Sequence, residues 1–237
     1  MTQHIVASYE NELRELGRKI AEMGGYAERL VADSIKALIK RDTALAEKVI
    51  IGDRAVNALQ REIEDTAIMM ITLRQPMASD LREIISSIRV AIDLERVADH
   101  AKNTAKRALA LDGEYQAQKQ LRGLEHMSEI ALEQLKEVLD AYAARDDARA
   151  LAVWRRDGEI DAIYTSLFRE LLTYMMEDPR HITICTHLLF AAKDIERIGD
   201  HATNIAETVH YLVVGEAIVD NRPRADNSGL TKIGLPR

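Results

Sequence analysis

The chain has 237 residues, of which 47% are apolar and 30% charged, with four prolines and eleven glycines. Few breakers among abundant Ala, Leu, Ile, Glu and Arg favour long helices, and with aromatics at 4% the core has to rest on aliphatic side chains and Met. A formal charge of −7 works against non-specific nucleic-acid binding, which needs Lys and Arg to neutralise phosphates, and against capture of a free phosphate or nucleotide unless positive charge is added.

The opening MTQHIVASYENELREL lacks the basic flank and apolar stretch of a signal peptide. No apolar run reaches the roughly 20 residues of a membrane span, and Cys185, the only cysteine, rules out an intrachain disulfide. The expectation is a cytoplasmic protein that meets membranes only through partners. From Ile5 to about Arg41, Leu13, Leu16, Ile20, Met23, Ala27 and Leu30 recur at helical spacing. A turn at Asp42 leads to a second helix, about Ala44 to Leu73, which Pro76 ends. Ser79 is placed to cap a third helix running to about Leu111, ahead of Asp112-Gly113.

The same order then repeats: helices at about Glu114 to Ala144, Asp147 to Met176 and Arg180 to Val214, closing at Gly215. A shift of 104 lays Arg41-Asp42 on Arg145-Asp146, Asp53 on Asp157 and Asn57 on Asp161. Beyond the prolines a shift of 101 carries DLERVADHAKN, residues 93–103, onto DIERIGDHATN, residues 194–204, with seven of eleven positions identical. The offset changes around Gln75-Pro76-Met77 and Asp178-Pro179-Arg180, where a loop absorbs the difference in length. The predicted fold is all-α: two tandem, sequence-related three-helix bundles made of six long antiparallel helices, each ~45 Å long at about 1.5 Å per residue. The first repeat takes residues 1–112 and the second 113–216, while 217–237, AIVDNRPRADNSGLTKIGLPR, has no apolar period and is expected to be disordered.

The third helix of each repeat carries an acid on its apolar stripe. Ile84, Ile88 and Ala91 lead to Glu95 and then Ala98; Leu189 and Ala192 lead to Glu196 and Gly199. Asp99 and Asp200 follow at i+4, on the same face. Counted from Pro76, Asp53 and Asp99 both lie 23 residues away, and Asn57 and Glu95 both lie 19 away. In the second hairpin Asp157 and Asp161 lie 22 and 18 before Pro179, and Glu196 and Asp200 lie 17 and 21 after it. Antiparallel pairing brings each set to one height. Several unpaired carboxylates inside a bundle exceed the roughly 5–15 kcal/mol that stabilise a domain, so the layers have to protonate, acquire cations or face solvent. All-oxygen donors suit hard ions such as Mg, Mn or Fe, with Ca or Zn less favoured.

A di-iron oxidase of the ferritin type uses Glu-x-x-His on paired helices, whereas His100 and His201 fall at i+5 from the glutamates and are expected to make polar contacts outside any ion's ligand set. Arg96 and Arg197 follow the glutamates and point away from them, so pairing with Asp93 and Asp194 or with other helices is expected instead. Cys185 in ITICTHLLF, Trp154 and Tyr164 read as packing residues. There is no glycine-rich phosphate loop.

Two tandem bundles, each with E-R-[VI]-[AG]-D-H-x-x-N, resemble the PhoU family of phosphate-transport accessory proteins over about residues 5–215. The resemblance implies a cytoplasmic regulator without catalytic activity, often a homodimer. It also implies negative control of the phosphate-starvation response, linking a high-affinity phosphate ABC transporter to a PhoR-type sensor histidine kinase. Carried onto this chain, the family's multinuclear metal sites, with Fe, Mn, Mg or Zn, fall on Asp53, Asn57, Glu95 and Asp99, and on Asp157, Asp161, Glu196 and Asp200. Asn57 departs from the acidic pattern, and an amide oxygen bridges two ions poorly. The alternatives are a metal-free helical adaptor and a carboxylate-bridged di-iron oxidase.

Overall fold

A computed structural model of the chain describes residues 2–111, 118–220 and 222; the predicted disorder of the C-terminal tail falls, from residue 223 onward, outside them. Among the described residues there is no strand. Helices α1 (Thr2–Lys40), α2 (Thr43–Arg74) and α3 (Ser79–Ala110) form the first bundle. Helices α4 (Gln118–Ala144), α5 (Asp147–Arg155), α6 (Asp157–Glu177) and α7 (Ile182–Val214) form the second. Helix α3 packs on α1 and α2, α7 packs on α4, α5 and α6, and the bundles meet where α3 runs along α7 and α1 along α4. Leu16, Ile20, Met23, Ile63, Ile84, Leu94, Leu124, Met127, Leu135 and Leu171 are fully buried in one continuous core. Each such side chain contributes about 1.5–3 kcal/mol by leaving water.

The duplication reaches the backbone. Arg41 and Arg145 both take positive φ, at 56° and 52°, and each is followed by an aspartate that caps the next helix. Asp42 accepts from the Leu45 N–H at 2.9 Å and Asp146 from the Arg149 N–H at 3.1 Å. At the first proline turn the expected cap is absent: Ala78 takes the N-cap position of α3 with no side-chain bond, and the Ser79 hydroxyl faces Asp80 instead, at 3.4 Å. At the second, Asp178 caps a 3-10 turn over Pro179–His181 that leads into α7, so the last helix begins at Ile182 and not at Arg180.

A larger departure lies in the middle of the second bundle. The predicted continuous helix from Asp147 is split at Arg156, whose φ and ψ are −89° and 2°. The break is held from α4 and from the segment itself: the Gln134 amide of α4 and the Glu159 N–H both donate to the Arg156 carbonyl, at 3.2 and 3.0 Å, and the Arg156 guanidinium pairs with Glu133, Glu137 and Glu159. In consequence Asp157 is the first residue of α6. Close by, α6 and α7 approach so tightly that a Cβ on Gly199 would lie 2.5 Å from Ile160 Cδ1. The first bundle has Ala98 and Val56 at the matching positions: the shorter valine leaves room for the alanine methyl.

Candidate functional site

In each bundle one predicted pair, Asp53 with Asp99 and Asp157 with Asp200, is joined by a cation of the chain itself. In the first, the Lys102 ammonium donates to Asp53 Oδ2 at 2.8 Å and to Asp99 Oδ1 at 2.5 Å, so the two acids equidistant from Pro76 share one positive group. Burial alone would disfavour the charged ammonium, but its bonds to Asp53 and Asp99 outweigh that and hold its pKa above the ordinary value. Asn57 does not reach across to Glu95. It turns back on its own helix and donates to the carbonyl and to Oδ2 of Asp53, at 3.1 and 3.0 Å. Glu95 is partly buried, and desolvation, reinforced by Asp99, raises its pKa.

In the second bundle Asp157, Asp161 and Glu196 are each buried, and the cation arrives from the chain beyond α7. The Arg222 guanidinium grips Asp157 with two bonds, Nε to Oδ2 at 2.8 Å and Nη2 to Oδ1 at 2.6 Å, and Nη2 also reaches Asp200 Oδ1 at 2.6 Å. Its remaining bonds go to the Asp200 carbonyl at 3.3 Å and to Asn204 Oδ1 at 3.1 Å. Thr203, which stands where the first bundle has Lys102, donates to Asp157 at 2.8 Å. Glu196 accepts from Lys193 at 2.7 Å, yet burial first, then neighbouring Asp200 and Asp161, keep its pKa above the usual glutamate range.

The histidines and the first aspartates of the two phrases form a clamp that the spacing argument did not find. His100 Nδ1 lies 3.1 Å from Asp194 Oδ1, and His201 Nδ1 lies 2.8 Å from Asp93 Oδ1. The two rings stand 5.7 Å apart between α3 and α7. Arg107 and Asn204 complete it, on Asp194 at 3.2 Å and on Asp93 at 3.2 Å. Asp and His seven residues apart occupy one helix face, while Glu95 and Glu196, two residues past the aspartates, point about 200° around the helix. Each phrase therefore serves two faces, the acid layer of its own bundle and the contact with its twin. The signal was in the sequence as an identical Asp and His at the same spacing in both copies. The predicted pairing of Arg96 and Arg197 with those aspartates does not occur, because the histidines take them; the two arginines lie loosely beside Glu95 and Glu196, at 3.6 and 3.8 Å. Cys185 is buried, and Trp154 and Tyr164 pack into the core, as expected.

The donor sets differ in their fitness for a metal ion. Among the described residues no three His, Cys, Asp or Glu side chains converge closely enough to hold an ion as they stand. Two buried oxygens, Asp53 Oδ1 and Glu196 Oε2, nevertheless have no hydrogen-bond partner, and buried polar atoms of this kind call for one. Of the two, the second layer has the donor chemistry that a hard divalent ion would need: four carboxylates, three of them buried, with one glutamate oxygen that accepts no hydrogen bond. The first layer does not fit. Lys102 belongs to α3 itself and lies between Asp53 and Asp99, and Asn57 supplies neither charge nor reach.

The fold and its twinned layers define a duplicated helical-bundle protein with carboxylates gathered inside each repeat. A family model described as PhoU domain matches residues 20–108 and again 124–209, and the chain belongs to that family. It is 60% identical over 223 residues to a phosphate-specific transport system accessory protein PhoU homolog of Rhizobium meliloti, an alignment covering 94% of both chains. It is 50% identical to the Caulobacter vibrioides homolog of the same description over 95% of this chain and 98% of the relative. The crystal structure of PhoU from Pseudomonas aeruginosa superposes with a TM-score of 0.83 at 40% identity, over 88% of this chain and 100% of that one. The phosphate transport system regulatory protein PhoU from Streptococcus pneumoniae gives 0.82 at 31% identity, over 89% of this chain and 99% of that one.

Proposed function

We propose that this chain is a cytoplasmic accessory regulator of phosphate-specific transport. It acts as a negative regulator of the phosphate-starvation response by linking the high-affinity phosphate ABC transporter to a PhoR-type sensor histidine kinase, as a homodimer and by docking rather than turnover. The observation that carries this reading is the end-to-end identity of 60% with a relative described as a phosphate-specific transport system accessory protein. The long helical faces of two bundles joined along α3 and α7 suit a docking role, and none of the described helices is long and apolar enough to cross a membrane.

Metal belongs to this proposal in the second layer, where Asp157, Asp161, Glu196 and Asp200 would be the ligands. A bound ion would supply positive charge to an otherwise acidic interior. The chain's own residues set the conditions: Lys193 orients Glu196, Thr203 orients Asp157, and the clamp of His201 on Asp93 fixes the height of α7. A metal-free helical adaptor is the second reading, favoured by the fact that Lys102 and Arg222 already neutralise part of both layers. Elemental analysis of the purified protein separates the two. The regulatory reading is tested by deleting the gene in phosphate-replete cells carrying a starvation reporter, and by capturing partners with the tagged chain. Derepression of the reporter, with transporter and kinase in the captured fraction, is expected; a silent reporter contradicts it.

A further inference from the structure

The chain leaves α7 at Gly215, whose φ of 90° sharply reverses its course. Arg222 then returns to Asp200, fifteen residues before that glycine. Fifteen helical residues rise ~22 Å, a distance that seven residues, ~23 Å at full extension, together with the arginine side chain can cover. Ile218 packs against the core on the way, and a cavity of about 390 Å³ between α3, α7 and this segment is lined by Asp93, Asn204 and Arg222.

We propose that Arg222 is a built-in counter-ion of the second acid layer, and that a divalent metal ion and this guanidinium are alternative occupants of one site. The proposal rests on the metal reading of that layer. Arg222 uses both oxygens of Asp157 and one of Asp200, the same oxygens an ion would take. Two positive groups about 4 Å apart repel by several kcal/mol in a poorly solvated site, so the layer holds one or the other. Glu196, 5% exposed and neighbour to Asp200 and Asp161, has an Oε2 that accepts no hydrogen bond and meets only Arg197, at 3.8 Å; it is the further oxygen that an ion would use. The first layer differs in kind: its cation, Lys102, sits one turn from Asp99 on the same helix and cannot leave the layer independently of it.

The test is titration of the full, chelator-treated chain with Mn²⁺, comparing wild type with Arg222→Ala and Arg222→Lys. If the guanidinium fills the layer nine-tenths of the time, its removal tightens apparent Mn²⁺ binding about tenfold, while Arg222→Lys stays nearer to wild type. Without metal, Arg222→Ala melts below wild type because Asp157 and Asp200 lose their partner, and Mn²⁺ raises its melting temperature by more than it raises that of wild type. A fluorophore on Val219→Cys, an exposed position, gains rotational freedom when Mn²⁺ is added to a chain that retains Arg222. Equal or weaker Mn²⁺ binding by Arg222→Ala, in a wild type that does bind, overturns the exchange and leaves the metal reading standing. Absence of binding in all three proteins overturns the metal reading and the exchange together.

Discussion

Glu196 shows most plainly what the layers demand of single residues. Burial and the neighbouring Asp200 and Asp161 lift its pKa above the ordinary 4.5 despite Lys193. Between that value and the raised one, the native state keeps a proton that the unfolded chain has released. The resulting stability is complete below the unfolded value and is lost as pH rises through the folded one. The metal-free protein is therefore expected to lose stability as pH rises through this window. Glu196→Gln should flatten the slope and melt higher than wild type near neutral pH, as checked by thermal melts in chelator across the range. Glu95 shifts in the same direction, so some slope remains in the single variant. The acids were legible in the sequence because a glutamate on an apolar stripe breaks the helical pattern. Their cations were not. Lys102 against Thr203 is the pair in the repeated phrase that differs most in chemistry, and only the structure shows that it places a permanent charge in one layer. Arg222 belongs to a tail without apolar period, and no local pattern ties an arginine to acids some twenty and sixty-five residues back.

Among the described residues helix boundaries followed from apolar periodicity and turn chemistry to within a few residues, since the bundle core and the repeated Arg-Asp turns are local features; the predicted start of the fourth helix near Glu114 lies outside them. The break at Arg156 was not legible, because three of the groups gathered on that residue, Gln134 on its carbonyl and Glu133 and Glu137 on its guanidinium, come from a different helix. The close contact of α6 with α7 gives a direct check on packing. Gly199→Ala should cost about 1–3 kcal/mol by overpacking against Ile160, and Ile160→Val in that background should restore most of it, reproducing the Val56 and Ala98 combination of the first bundle. Urea unfolding of the four proteins measures the pair. The contact of α3 with α7 is likewise testable: a double-mutant cycle on His100 and Asp194, using alanine at each, should give a coupling of about 1 kcal/mol. No coupling would mean that the clamp is incidental to the joining of the repeats.

At the scale of the molecule, duplication produced two bundles alike in backbone and different in electrostatics. The repeated phrases point to a site in each bundle, with Asn57 weakening the first; Lys102, placed between Asp53 and Asp99, sets the first layer further apart from the second. Replacing Lys102 with Thr and Asn57 with Asp copies the second layer's residues into the first, and should raise the metal bound per chain in elemental analysis. The most direct measurement is the metal retained after equilibration with Mn²⁺ and desalting, in wild type, in Glu95→Ala/Asp99→Ala and in Glu196→Ala/Asp200→Ala. Metal should survive loss of the first pair and disappear with the second. Metal that survives loss of the second pair, or that disappears with the first, would contradict a second layer built to receive it.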